Sequence, residues 1–132
     1  MNLRGIVLLN GGKMKQEDVE VYNKTMGQLR VTITEIKELS KKKPDGGVNE
    51  FKLQHINSII KDANLLLGED LRPFSDFTIF DKDNIPTNSD VSFILAQYSL
   101  SMRKYYQSNT RKEGMSSYWI IDGKVTRQEA DY

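Results

Sequence analysis

At 132 residues, with 38% hydrophobic and 28% charged side chains, the chain has the size and composition of one folded domain rather than a disordered tract. It contains no cysteine, which excludes disulfides, thiolate catalysis and Cys-ligated zinc or iron–sulfur centres. The net charge of +1 is unevenly spread: residues 1–43 hold nine Lys/Arg against five Asp/Glu, residues 44–90 four against nine, and residues 91–132 six against four. A basic–acidic–basic order suggests segments that attract one another or a polar partner.

Residues 3–9, Leu-Arg-Gly-Ile-Val-Leu-Leu, read as a short strand closed by Asn10-Gly11-Gly12, so that 1–14 form an extended N-terminal segment. The apolar run over 6–9 is too short for a signal-peptide core and no A-x-A site follows. No stretch approaches the ~20 apolar residues of a membrane span. A cytoplasmic protein without a membrane partner is the expectation. Gly11-Gly12-Lys13 lacks the four-residue gap and the Lys-Ser/Thr pair of a phosphate-binding loop and reads as a turn.

Three helices follow. The first is expected over 15–43, with a seam of Val19, Tyr22, Met26, Leu29, Ile33 and Ile36 at steps of three and four. Acids at its start and Lys41, Lys42 and Lys43 at its end complement the helix dipole. Gly27 costs about 1 kcal/mol in a helix interior, and reads as a place where a neighbouring helix comes close. Pro44-Asp45-Gly46-Gly47 stops this helix. The second is expected over 48–67 with Gly68 as its terminator; its seam is Leu53, Ile56, Ile60, Ala63 and Leu67. The short connection makes the first two helices antiparallel neighbours.

Residues 68–86 form a long irregular connection with Phe74, Phe77, Ile79, Phe80 and Ile85. Such apolar content predicts a loop that packs onto the body. Phe74, Phe77 and Phe80 should meet the start of the third helix; left exposed, they would form a docking loop. Asp76, Asp81, Asp83 and Asp90 do not fit a calcium loop, since counting from Asp81 puts Ile85 and Pro86 at positions five and six.

The third helix is expected from the capping sequence Thr87…Asp90 to about residue 112, with a seam of Val91, Leu95, Tyr98, Met102 and Tyr105. Phe93 and Leu100 lie off that seam, which predicts a first half buried on several sides. Its last part gathers Arg103, Lys104, Arg111 and Lys112 with Tyr106 and no acid. Cations interleaved with an aromatic neutralise phosphates and stack on bases; the competing reading is a solvated helix end matched to the dipole. Asp122-Gly123 between β-prone runs predicts a hairpin in the tail, 113–132, able to pair with residues 3–9. Thr126 with Glu129 reads as a further capping box opening a final helical turn.

The expected fold is mainly α: a single domain whose helical body, 15–112, is an antiparallel-type three-helix bundle with a packed loop and a small terminal sheet. His55 is the only histidine, and no serine sits in a nucleophile motif. No catalytic, cofactor or metal residue is therefore assigned. The leading expectation is a non-enzymatic adaptor, regulatory or assembly subunit that binds another protein or itself through helix faces. The alternative is a module for single-stranded nucleic acid using Arg103, Lys104, Tyr106, Arg111 and Lys112.

Overall fold

The computed structural model describes residues 13–132; the strand expected over 3–9 lies outside the described residues. Helices α1 (Gln16–Lys42), α2 (Glu50–Leu71) and α3 (Asn88–Ser108) are followed by strands β1 (Thr110–Glu113), β2 (Ser116–Ile121) and β3 (Lys124–Glu129). At the start of α1 the Lys15 backbone N–H donates to the Asp18 carboxylate at 2.8 Å. Asn49 caps α2 by accepting from the Lys52 N–H at 2.8 Å, and Thr87 caps α3 by accepting from the Asp90 N–H at 3.1 Å. Gly68 interrupts α2 at φ +67°, a left-handed conformation that glycine adopts without strain, and one further turn reaches Leu71. None of these helices is long and apolar enough to cross a membrane.

The three seams face one another. Val19, Tyr22, Met26, Leu29 and Ile36 of α1, all five seam residues of α2 and all five of α3 are buried, with Ile33 half-buried beside them. Gly27 departs from expectation: a Cβ there would meet nothing within 4 Å. It faces open space, so no helix needs its small size. Phe93 and Leu100 depart as well, being 57% and 52% exposed. The seam of α3 already meets both other helices, and among the described residues no further helix or strand covers its outer face.

The start of α3 is stitched to the α1–α2 connection. The Asn88 N–H donates to the Gly46 carbonyl at 2.8 Å, the Ser89 N–H to Pro44 at 3.0 Å, and the Asn88 side-chain amide to Lys43 at 2.9 Å. A Cβ on Gly46 would lie 3.3 Å from that amide, so the two segments approach closely here. Both α2 and α3 therefore begin where α1 ends. They run parallel to each other and antiparallel to α1. Residues 72–87 must return along the bundle. The 22 residues of α2 rise about 33 Å, and an extended chain of that connection's length reaches roughly 50 Å. The connection has slack to pack.

The tail is an antiparallel sheet of order β1-β2-β3. Asp122 and Gly123 in the β2–β3 turn take φ 53° and 80°, the paired positive values of a tight hairpin turn. Two expectations are corrected. The helix thought to reach residue 112 ends at Ser108. There the Asn109 side-chain amide donates to the Tyr105 carbonyl and the Thr110 hydroxyl to Tyr106, both at 2.9 Å. These side chains take up acceptors of the last turn, and 110–113 becomes the third strand beside the hairpin. The expected final helical turn at Thr126–Glu129 is strand β3, where the Thr126 hydroxyl donates to the Trp119 carbonyl at 2.8 Å. The sheet is fixed to the start of α1: the Asp122 N–H donates to Met14 O at 2.9 Å, and the Lys15 ammonium pairs with the Asp122 carboxylate at 2.8 Å. That bond holds the Asp122 carboxyl below its ordinary pKa.

At this end Tyr22 is enclosed by Trp119, Tyr105 and Tyr106, with ring centroids 5.1, 5.9 and 6.0 Å away. Burial pushes the Tyr22 and Tyr105 hydroxyls far above the ordinary tyrosine range, and raises Tyr98.

Two outcomes follow. Gly27→Ala should raise stability by about 0.5–1 kcal/mol in urea melts, since the methyl restricts the unfolded chain and meets no obstacle in the fold. In alkali, the unfolded chain loses phenolic protons near pH 10 that the fold retains. Stability should hold below about pH 10 and fall above it, each of the three tyrosines contributing up to about 1.4 kcal/mol per pH unit. Tyr22→Phe should make that fall shallower, measured as the urea midpoint between pH 8 and 11.

Candidate functional site

The returning connection builds an apolar groove against α3. Two asparagines one heptad apart on α2 hold it. Asn57 makes a two-pronged contact with Phe80: its amide donates to the Phe80 carbonyl and its carbonyl accepts the Phe80 N–H, each at 2.9 Å. Asn64 donates to the Thr78 carbonyl at 2.9 Å and accepts from the Tyr98 hydroxyl at 2.6 Å. Loop backbone without a ladder partner is satisfied by these side chains. Phe77 lies against Phe80 at 5.0 Å and Tyr98 at 6.4 Å, and Phe74 stacks on Phe93 at 6.1 Å. All three loop phenylalanines are half-buried, as the packed-loop expectation required.

With Phe77 and Phe80 turned inward, Ile79 and Ile85 are left outside, 48% and 41% exposed. Together with Phe93 and Ile94 of α3 they line a groove of ≈ 480 Å³ whose floor is Phe77, Phe80 and Pro86. Asp81 and Asp90 lie in its wall, and Asp76 and Asp83 are exposed nearby on the same loop. Lys82 is the only cation between residues 73 and 102. Among the described residues none of these four carboxylates forms an ion pair. Asp81 and Asp83 are set by a turn in which the Asp81 carboxylate accepts the Asp83 N–H at 2.8 Å. No group of three or more His, Asp or Glu side chains among the described residues is arranged to hold a metal ion.

The basic cluster is dispersed by the fold. Arg103 and Lys104 are exposed on the last turns of α3, whereas Arg111 and Lys112 sit on β1 opposite Tyr118 and Ser117. Neighbours along a strand point to opposite faces, so Arg111 and Lys112 diverge, and neither lies on the helix expected to gather them with Arg103 and Lys104. Tyr106 is committed internally. Its hydroxyl donates to the Ala130 carbonyl at 2.8 Å, and its ring meets Trp119 at 5.6 Å and Tyr132 at 5.4 Å. Arg103 lies over the Tyr132 ring at 5.2 Å, and Arg30 lies at 5.3 Å from the same ring.

Other exposed apolar side chains are less enclosed. Phe51 and Leu65, 70% and 78% exposed, stand on the outer side of α2 with His55 against Phe51 at 4.6 Å. Val31 belongs to a second open depression, of ≈ 500 Å³, lined by side chains of α1 alone. Sequence reading singled out Phe74, Phe77 and Phe80 but passed over Ile79, Ile85 and the acids as a joint feature. The available signal was the adjacency of Ile79 and Phe80, since neighbouring side chains of an extended segment turn to opposite sides.

Asn57→Ala should release the loop. Limited proteolysis after Phe77 and Phe80 should accelerate several-fold, with a stability loss of about 1–3 kcal/mol from the unpaired Phe80 backbone groups, while the helical circular dichroism stays unchanged.

No protein-family model, curated protein or solved structure matches this chain.

Proposed function

We propose that this chain is a non-enzymatic interaction protein, a small cytoplasmic adaptor, regulatory or assembly subunit, that takes a protein partner on the groove between the 72–87 connection and α3. The observation that carries this reading is the exposure of Ile79, Ile85 and Phe93 in one concave patch, held in place from beneath by Asn57 and Asn64. Large apolar side chains gathered in a preformed concavity are what a docking surface consists of. Their backbone support means that little ordering entropy is lost on binding.

An affinity pull-down from the native host, run with and without nuclease, tests it against the nucleic-acid alternative. A protein retained after nuclease and lost with Phe93→Ser/Ile79→Ser is the expected result. Both residues are about half exposed, so the variant should keep its fold and melting temperature. Retention of the protein by the double variant would overturn the groove. Recovery only from untreated lysate would assign function to Arg103, Lys104, Arg111 and Lys112 instead.

A further inference from the structure

We infer that the segment taken by the groove is a cationic, amphipathic polypeptide segment; this rests on the docking reading above and specifies its partner. Charge complementarity carries the inference. The floor and walls are apolar at Phe77, Ile79, Phe80, Ile85 and Phe93, while the charged side chains in the wall, Asp81 and Asp90, are both acidic. Asp83 extends the same sign along the exposed loop, with Lys82 as the single opposing charge.

None of these carboxylates is consumed by an ion pair among the described residues. The local hydrogen bond to Asp81 comes from a neutral backbone N–H and leaves its charge in place. Apolar side chains of a partner would enter the groove. Lys or Arg at its margins would then meet Asp81 and Asp90, with Asp83 adding to the acidic charge of the loop, whereas acidic flanks would meet like charge at both lining carboxylates. Rim charges of this kind set partner choice and association rate more than total affinity. A second copy of this chain docked through the same face would bring the acidic rims together, which disfavours self-association there.

The test uses two fluorescein-labelled helical 14-residue peptides with identical Leu and Phe positions, one with Lys and one with Glu on the polar face. Fluorescence anisotropy at low salt should show the Lys peptide bound at least about tenfold more tightly, the sum of several exposed charge pairs. In Asp81→Asn/Asp83→Asn/Asp90→Asn the two peptides should bind within about threefold of each other. The isosteric amides keep the Asp81 acceptor, so this variant also serves if a serine variant fails to fold. Phe93→Ser/Ile79→Ser should weaken both peptides. Screening by 0.5 M salt should shrink the preference as the amide variant does.

Several results would overturn the inference. One is equal or reversed preference in the wild-type chain, and another is a Lys preference that survives the three amide substitutions. Equal binding of both peptides, lost in Phe93→Ser/Ile79→Ser, removes the cationic partner but keeps the groove as a docking site. Binding of neither peptide also removes it, while the pull-down judges the groove separately. A wild-type dimer in sedimentation velocity that becomes monomeric in Phe93→Ser/Ile79→Ser would place a second copy in the groove instead.

Discussion

Asn88 ties the first turn of α3 to the end of α1, with its backbone and side chain both donating to carbonyls of the 43–46 connection. That tie decides the topology. An up-down-up bundle would bring α3 back from the end of α2 through a short turn. Here α3 starts at the opposite end, and residues 72–87 are obliged to traverse the length of the molecule. A segment that long outside regular structure leaves many backbone groups to be satisfied. The two asparagines on α2, one of them shared with Tyr98, supply part of that need. The groove is a by-product of the same requirement: a strip of chain lying across a helix pair makes a step, and the step is lined by whichever side chains face away from the asparagines.

The aromatic cluster at the other end answers a different need. Bundles of three helices leave their ends open. Here the sheet closes one end by packing Trp119 against both Tyr22 and Tyr106. The hydrogen bond from the Asp122 N–H to Met14 O anchors the sheet to the chain entering α1. Closure at one end and stitching at the other leave the middle of the bundle, where the seams meet, dependent on apolar packing.

Much of this was legible from spacing. The seams on all three helices, the cap at Thr87, the breaker at Gly68 and the turn at Asp122-Gly123 rest on interactions between residues close in sequence, and such interactions leave a local imprint. What escaped depends on distant residues. The 101–112 stretch is rich in residues that suit a helix; only Asn109 and Thr110 mark its end, and their effect depends on strands that arrive later. Periodicity placed Phe93 and Leu100 on a second face but says nothing of whether anything covers that face. The groove needed the meeting of Asn57 with Phe80, 23 residues apart, for which neither residue carries a sign of its own. The contacts of Tyr106 escaped for the same reason, since its partners Trp119 and Ala130 are fixed by the sheet.

The position of Trp119 also sets an order on biosynthesis. Tyr22 lies in α1, which is made before the other described elements, while the residue that covers it sits far along the chain, beyond α3. Until the sheet has been made, an otherwise assembled bundle carries an open aromatic end beside Tyr105. Domains generally complete folding as units, and surface exposed in the interval invites association with other chains. For this protein the last strands are a lid on a hydrophobic vessel. The interval between translation of α3 and release of β2 is the period in which a chaperone, or a neighbouring nascent chain, has access to its interior.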